Sequence, residues 1–361
     1  MRILTGMSGG VDSSVAAALL IREGHDVQGA TLVVDDRGFE AAEDARAVAG
    51  QLGIPHAVLD VRSRFRETVM DPFVAAYRSG TTPNPCVLCN AGLKFKALLE
   101  AAERSGCSRV ATGHYAVSGR HPETGRLCLF RSGSGSKDQS YFLYRLSQEQ
   151  LSAVIFPLGD RSKDEIRRIA GELGLNTAVG EALSGKKDSQ DICFLPDGDL
   201  RGFLCSRSGN GLPDGMDRPG EILDADGQGI GTHGGLCGYT VGQRKGFDVR
   251  TTERLYVLSM DVPSNTIRVG PRSQAMMPAV TLTSPVYSGR ERLRPGVRIR
   301  AKVRSAAEPA WGTAESMDPP GEGIRVEFDE PVFAPAPGQS CVLYEGDALV
   351  AGGIILPPCG A

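Results

Sequence analysis

The first 115 residues alternate short apolar runs with longer segments whose apolar positions recur every three or four residues. The short runs predict strands and the longer segments predict helices. The predicted elements are strands at 2–7, 26–34, 56–61 and 108–114 and helices at 12–23, 38–53, 63–78 and 90–104. This alternation indicates a doubly wound parallel sheet with helices on both faces, whose ligands bind at the carboxyl ends of the strands.

The pattern changes in the second half of the chain. Residues 147–174 still predict two helices, the second with a capping-type start. From about residue 196 glycine and proline become frequent, and short β-branched segments replace the helical periodicity. We therefore predict an α/β fold in which residues 1–196 form the parallel-sheet domain, 197–272 a small β-rich central domain and 273–361 a C-terminal β-barrel.

Composition and charge exclude several classes of protein. The 361 residues are 41% hydrophobic and 23% charged, which is typical of a globular protein with a real core. The longest apolar run, 15–21, is too short to cross a bilayer, and the first residues do not resemble a signal peptide, so we expect a soluble, cytoplasmic protein without a membrane partner. The net charge of -3 means that any contact with nucleic acid must use local patches.

The segment 8–14, SGGVDSS, follows the first strand and begins the first helix. Gly9 and Gly10 allow backbone N–H groups to approach an anion closely, and the helix N-terminus adds a partial positive charge. The serine hydroxyls can donate to phosphate oxygens, and Asp12 can bind Mg²⁺. The spacing alone leaves open an ordinary tight turn with Asp12 or Ser13 as the helix cap.

The nine cysteines are an odd number in a chain of this size, which argues against a disulfide scaffold. Cys86 and Cys89 form the one C-x-x-C pair, in a predicted loop before a helix, so a four-ligand structural zinc site is not expected. The helix N-terminus and Lys94 predict a lowered pKa for Cys89. Cys193 is a third candidate, in a polar segment that predicts an exposed loop, and ordinary packing remains the alternative for each of these cysteines.

A run of alternating residues at 296–304 places basic side chains at every second position. In a strand they would share one face at intervals of about 7 Å, which suits contact with a phosphate backbone. A solvated barrel face is the alternative. The basic residues are Arg298, Arg300, Lys302 and Arg304, and two further pairs, Lys186–Lys187 and Arg244–Lys245, are weaker candidates for phosphate contacts.

The segment SGGVDSS resembles the pyrophosphate-binding loop of the ATP-pyrophosphatases, or PP-loop proteins. In combination with TPNPC-x-x-CN-x-x-x-KF, ATGHYA, KDQSYFL, DICF and GYTVGQRKG, in this order, the whole chain resembles the tRNA-specific 2-thiouridylases. The resemblance implies an ATP-dependent sulfurtransferase that adenylates O2 of the wobble uridine in tRNA and then replaces this oxygen with sulfur. It also implies a persulfide donor as partner, such as a cysteine desulfurase or a relay protein.

The same resemblance assigns roles to residues. Cys89 matches the nucleophile of the family and Cys193 its persulfide-carrying cysteine, and Asp12 acts with them in catalysis. The residues that match the ATP site are Gly6, Met7, Ser8, Gly9, Gly10, Val11, Asp12, Ser13, Leu32 and Gly113. The residues that match tRNA contacts are Asn84, Pro85, Cys86, His114, Lys137, Asp138, Gln139, Arg304, Ser305 and Gln339.

One departure from the family pattern leaves the sulfur chemistry open. Many members carry aspartate where this chain has Cys86. Three thiolates, from Cys86, Cys89 and Cys193, suit a [4Fe–4S] cluster with one open iron, as some tRNA thiolases use. The persulfide route needs only Cys89 and Cys193. The two alternative functions are a different ATP-pyrophosphatase that acts on a small metabolite and a non-enzymatic iron–sulfur sensor that binds RNA.

Overall fold

The structure is a computed structural model that describes most of the chain. The residues described are 1–132, 137–177, 179, 181–183, 192–195, 198–207, 216–247, 249, 253–317 and 323–358. No helix within these ranges is long and apolar enough to span a bilayer.

The N-terminal part of the fold is a five-stranded parallel sheet flanked by helices. The strands up to the second helical region are β1 (Arg2–Gly6), β2 (Asp26–Val33), β3 (His56–Asp60), β4 (Arg109–Thr112), β5 (Val117–Arg120), β6 (Leu127–Phe130) and β7 (Val154–Ile155). The helices are α1 (Val11–Arg22), α2 (Gly38–Leu52), α3 (Arg62–Phe65), α4 (Asp71–Arg78), α5 (Pro85–Cys89), α6 (Phe95–Arg104), α7 (Ser140–Leu143), α8 (Gln148–Ala153), α9 (Lys163–Glu172) and α10 (Leu200–Arg207). The strand order β3-β2-β1-β4-β7 confirms the predicted doubly wound sheet.

Neighbouring side chains of β1 show how the sheet is buried on both faces. Ile3 packs with α1 residues such as Leu20 on one face, and Leu4 packs with α6 residues such as Leu98 on the other. Because successive strand residues point to opposite faces, a strand that is covered on both sides must be apolar throughout. This explains why the first strands appear as continuous apolar runs.

The cysteine pair lies in a helix, so the predicted loop at this position is wrong. Pro85 is the first residue of α5, and the side chain of Asn84 accepts a hydrogen bond from the N–H of Val87 at 3.4 Å. Asparagine is a good N-cap and proline suits the first helical turn, so this local sequence favours a helix start. A π-helical turn, Asn90–Lys94, joins α5 to α6, and we call the continuous helix from Pro85 to Arg104 the cysteine helix.

The hairpin of β5 and β6 leaves the N-terminal sheet and joins the C-terminal barrel. β5 and β6 are antiparallel, and Phe130 in β6 pairs with Ala348 of the barrel. The hairpin thereby links the first part of the chain to the last, a connection that the sequence pattern did not predict.

The remaining strands form two separate sheets. The central sheet contains β8 (Gly220–Leu223), β9 (Gly229–His233), β10 (Leu255–Asp261) and β11 (Thr266–Pro271) in the order β10-β11-β8-β9. The C-terminal strands are β12 (Met276–Tyr287), β13 (Val297–Lys302), β14 (Ala310–Ser316), β15 (Ile324–Phe333), β16 (Ser340–Glu345) and β17 (Ala348–Ile355). They form a closed antiparallel barrel because β12 pairs with both β15 and β17, and the barrel encloses an apolar core. The predicted β-rich centre and closing barrel are confirmed.

Candidate active site

The turn between β1 and α1, together with the first residues of α1, has the geometry of an anion-binding loop. We call residues 8–14 the phosphate loop. Gly10 is the N-cap of α1 and supplies no capping side chain, so neither Asp12 nor Ser13 is the helix cap. Gly9 has a φ of 68°, and a Cβ there would lie 2.7 Å from the carbonyl oxygen of Ala41. Only glycine tolerates this conformation and this approach. The turn therefore presents the N-terminus of α1 as a phosphate-binding element.

The serine side chains of this loop hold its shape. The Ser8 N–H donates to Ser13 Oγ at 3.0 Å, and Ser14 Oγ donates to the Gly10 carbonyl at 2.8 Å. Ser13 Oγ lies 3.3 Å from Ser8 Oγ as well. Hydroxyl groups that are already ordered by the loop can turn toward a bound anion without a large entropic cost.

Asp12 belongs to the phosphate loop, and its carboxylate is bound by two residues from distant elements. Lys163 Nζ donates to both carboxylate oxygens of Asp12 at 2.8 Å, and the Tyr115 hydroxyl donates to Oδ1 at 2.7 Å. The Lys163 side chain is only 10% exposed. The sequence analysis missed Lys163, although one signal was present: it is the first residue of α9, where the helix dipole disfavours a cation unless another interaction holds it.

Gly113 and Leu32 complete the surroundings of the loop. Gly113 follows β4, and a Cβ at this residue would lie 2.7 Å from the N atom of Ser13 and 2.8 Å from the carbonyl carbon of Asp12. Leu32 lies in β2 and is partly buried against two apolar clusters, one that contains Phe65 and one that contains Leu98. The structure thus brings Gly113 against the phosphate loop, and its contact with the nucleotide stays a prediction.

The three candidate cysteines form one electrostatically coupled group. Cys86 and Cys193 are exposed, Cys89 is half-buried, and all three are free thiols. Burial, with further contributions from the neighbouring Cys89 and Cys86, raises the pKa of Cys193 to about 12. Lys94 lowers the pKa of all three thiols without cancelling the effect of burial.

The raised pKa of Cys89 contradicts the lowered value predicted from the sequence. The prediction assumed a solvated thiol at the very start of a helix, but the helix begins at Pro85 and Cys89 packs against the apolar cluster that contains Phe194. Desolvation disfavours the charged thiolate there more strongly than Lys94 favours it. Desolvation also raises the pKa of Cys86 more strongly than Lys94 lowers it, although this residue keeps exposed area.

The residues predicted to bind metals differ in their fit. Asp12 supplies a carboxylate within the phosphate loop, and carboxylate oxygens are the donors that Mg²⁺ prefers. The three cysteines have the donor chemistry of an iron–sulfur site. In the described part of the chain, however, no three side chains among His, Cys, Asp and Glu are arranged to hold a metal ion. The iron–sulfur site therefore stays a prediction.

Two of the predicted tRNA contacts are engaged inside the N-terminal domain. Asp138 is 9% exposed and accepts hydrogen bonds from the backbone of Ser132 and from both the N–H and the hydroxyl of Ser140. Gln139 Oε1 accepts the Tyr115 N–H at 2.9 Å. In this structure these side chains hold the backbone of their own segment, and their contact with tRNA stays a prediction.

His114 lies between the phosphate loop and the cysteine helix. Its ring is 5.7 Å from the ring of Phe95 and 6.3 Å from that of Phe156, and its Nδ1 forms a hydrogen bond of 2.8 Å with Thr112 Oγ1. Burial, together with Lys94, holds the pKa of His114 well below its ordinary value. The imidazole is therefore neutral at physiological pH and can act in hydrogen bonding or stacking, but not as a cation.

The basic alternation is present in β13, but three of the four basic side chains between 298 and 304 have hydrogen-bond partners in the barrel. Arg298 forms a bidentate ion pair with Asp329 at 2.7 and 2.8 Å, and Arg300 binds Asp347 at 3.0 Å. Arg304 donates to the carbonyl of Ala334. These partners weaken the predicted phosphate stripe. The predicted pair Lys186–Lys187 lies outside the described residues.

The fold and the loop together define the class of the protein. A doubly wound sheet with SGGVDSS between its first strand and first helix is an ATP-using domain of the PP-loop class. Residues 1–197 match the family described as a tRNA methyl transferase HUP domain, 214–271 the tRNA methyl transferase PRC-barrel domain and 279–355 the aminomethyltransferase beta-barrel domain.

Relatives identify the family within this class. A tRNA-specific 2-thiouridylase MnmA from Methylorubrum populi is 43% identical over 100% of this chain and 94% of the relative. Proteins of the same name from Heliobacterium modesticaldum and Clostridioides difficile are 41% and 39% identical over 98% of this chain, with 92% and 98% of the relatives covered. The chain belongs to the tRNA-specific 2-thiouridylase family.

One solved structure with similarity to part of this chain is a 4-thiouridine synthetase–RNA complex with bound ATP. It covers 54% of this chain and 44% of that chain, with a TM-score of 0.35 and 21% identity.

Proposed function

We propose that the protein catalyses the ATP-dependent 2-thiolation of the wobble uridine in tRNA. The observation that carries the proposal is the position of two consecutive residues at the end of β4. Gly113 packs against the backbone of Asp12 and Ser13, and His114 stacks near Phe95 of the cysteine helix. A nucleotide at the phosphate loop and a base near the cysteines would therefore be neighbours, as transfer of an adenylyl group to the base requires.

In the first step O2 of the uridine attacks the α-phosphate of ATP and pyrophosphate leaves. The loop N–H groups and the N-terminus of α1 bind the phosphates. The Lys163 ammonium group can exchange its hydrogen bonds to Asp12 for a hydrogen bond to a phosphate oxygen, since both are anionic partners at the same site. Asp12 is the residue that would hold Mg²⁺, which neutralises phosphate charge when bound.

In the second step sulfur replaces the adenylated oxygen. A persulfide on Cys193 adds its terminal sulfur to C2 of the uridine, and AMP leaves with the former O2. The Cys89 thiolate then attacks Sγ of Cys193 and breaks the S–S bond, so that 2-thiouridine and a Cys89–Cys193 disulfide result. A dithiol reductant must return this disulfide to two thiols by supplying two electrons and two protons. The sulfur comes from a partner persulfide protein, such as a cysteine desulfurase or a relay protein.

The test is a thiolation assay with unmodified tRNA, ATP and a persulfide donor. We expect Cys89→Ser and Cys193→Ser to abolish sulfur incorporation, whereas Cys205→Ser, an exposed cysteine on α10, retains it. Absence of ATP-dependent sulfur incorporation by the unmodified protein would overturn the proposal. Iron and sulfide analysis after strictly anaerobic purification tests the cluster route, because protein that is active without iron uses the persulfide route.

The proposal includes the organisation predicted from the sequence. Residues 1–196 would bind ATP and carry the catalytic cysteines, 197–272 would connect, and 273–361 would contact tRNA. A cytoplasmic location stays a prediction, and cell fractionation would test it.

A further inference from the structure

The loop between β15 and β16, residues 334–339, contacts the segment that leads into the cysteine helix. We call it the barrel loop. The Thr82 N–H donates to the carbonyl of Pro337 at 2.8 Å. The side-chain amide of Gln339 donates to the carbonyls of Thr82 and Pro83 at 3.2 and 3.4 Å. The barrel thus contacts the two residues that precede the cap, Asn84, through three hydrogen bonds.

Gly338 brings the two backbones into direct contact. Its φ is +90°, and a Cβ at this residue would lie 2.9 Å from the N atom and 3.0 Å from the carbonyl oxygen of Thr82. The barrel loop is itself fixed to β17, because the Gly338 N–H donates to the carbonyl of Ile355 and the Ile355 N–H donates to that of Gln339. A rigid barrel edge therefore supports the start of the cysteine helix.

A second connection reaches the helix cap itself. The hydroxyl of Tyr141, a fully buried residue, donates to the carbonyl of Ser340 at 2.8 Å. Burial raises the pKa of Tyr141, and the nearby side chain of Asn84 lowers it. Asn84 also caps the N–H of Val87, so the residue beside Tyr141 is the one that begins the cysteine helix.

We propose that the barrel loop is a positioning element for sulfur transfer, in which Gly338 and Gln339 fix the location of Cys89 by holding residues 82 and 83, directly before the cap of the cysteine helix. The inference rests on the proposed function only for the role of Cys89. The contacts converge on the residues just before the cysteine helix, and the phosphate loop is not among their partners. We therefore expect the barrel loop to govern sulfur transfer more than adenylation. The resemblance assigned Gln339 to RNA contact, whereas its amide here has protein partners.

The experiment compares Gly338→Ala with Gly346→Ala. Gly346 also has a positive φ, of 57°, but a Cβ there meets no atom within 4 Å, so it controls for backbone strain. Three quantities are measured: thiolation in a single turnover, pyrophosphate release in the same turnover, and the rate at which iodoacetamide modifies Cys89 without tRNA. Since a shift of about 1 Å in a reacting group can cost about a hundredfold in rate, we expect thiolation by Gly338→Ala to fall by about tenfold to a hundredfold.

Gln339→Glu separates positioning from RNA binding. Glutamate has the same size but cannot donate to the two carbonyls, so we expect a changed rate of Cys89 modification even in the absence of tRNA. An unchanged rate of Cys89 modification with a raised KM for tRNA would show that Gln339 is only an RNA contact. Equal behaviour of Gly338→Ala and Gly346→Ala would likewise overturn the proposal.

The two proposals can fail separately. If the unmodified protein incorporates no sulfur, the proposed function fails, but the Cys89 modification rates still decide whether the barrel loop positions the helix. If thiolation is normal and all variants modify Cys89 at the same rate as the unmodified protein, the positioning proposal fails alone.

Discussion

Replacement of Gly113 by alanine should disable the ATP site without unfolding the protein. The new Cβ would lie 2.7 Å from Ser13 N, 2.8 Å from the carbonyl carbon of Asp12 and 3.0 Å from Ser13 Cα. All three atoms belong to the backbone of the first turn of α1, so no side-chain rotation can relieve the contact. Either β4 or the phosphate loop has to move.

The size of the effect follows from these distances. Favourable contacts between carbon atoms begin at about 3.5 Å, so the backbones must separate by roughly 0.5 to 0.8 Å. Displacements approaching 1 Å reduce rates by up to about a hundredfold, which corresponds to about 2.7 kcal/mol in activation free energy. We therefore expect a loss of about tenfold to a hundredfold in AMP formation.

The assay measures ATP binding by calorimetry and AMP formation with tRNA present. Gly50→Ala is the matched control, because Gly50 lies in α2 and its Cβ would meet no atom within 4 Å. The control should retain full activity and gain up to about 1 kcal/mol in unfolding free energy, since alanine favours helix. If Gly113→Ala forms AMP at the unmodified rate, the packing argument for the phosphate loop is refuted.

Three further predictions concern charge. The rate of alkylation of Cys193 should rise about tenfold per pH unit between pH 7 and 9. The reason is that its pKa is raised to about 12, and below the pKa the thiolate fraction grows about tenfold with each pH unit. Alkylation rates measured by mass spectrometry that reach a plateau near pH 7 would contradict this prediction. Lys163→Met removes the cation that binds Asp12 and should raise the KM for ATP. Lys96→Met, at an exposed position of α6, is the control and should leave this KM unchanged. Equal KM values for the two variants would contradict a role of Lys163 at the phosphates. The pKa of His114 in the folded protein is below its unfolded value of about 6.5, so its neutral form contributes stability that is present above pH 6.5 and is lost as the pH falls. In urea unfolding, His114→Asn should lose less unfolding free energy between pH 7.5 and 5.5 than the unmodified protein. An equal loss in the two proteins would refute this prediction.

The features that the sequence predicted well are those in which neighbouring residues determine the structure. The turn at Gly9 and Gly10 is specified by glycines, which tolerate a positive φ and a close approach of another backbone. The strand β13 is specified by its strict two-residue alternation. The helix start at Pro85 was not predicted, although Asn84 and Pro85 are the cap and first-turn residues that favour it, because the residue before a proline is also biased toward an extended or turned loop.

The features that it could not predict depend on residues far apart in the chain. Lys163 and Asp12 are separated by 151 positions, and Gln339 and Thr82 by 257. The local sequence identifies the partner in neither pair, since only the folded arrangement of α9 on α1 and of the barrel on the N-terminal domain creates these contacts. The same holds for the charges of β13, whose partners Asp329 and Asp347 come from other parts of the barrel.

The raised thiol pKa values suggest how the chemistry is controlled. The sequence predicted a lowered pKa for Cys89, and a thiolate at neutral pH would also react with oxidants and with any electrophile that reached the site. The structure instead holds Cys86, Cys89 and Cys193 as protonated thiols at neutral pH. A persulfide is more acidic than the thiol from which it forms, so sulfur loading of Cys193 would itself create the anionic nucleophile. Lys94, which favours the anion at each of the three cysteines, would then stabilise that form. Under the proposed mechanism the site becomes reactive when it carries the sulfur that it has to transfer.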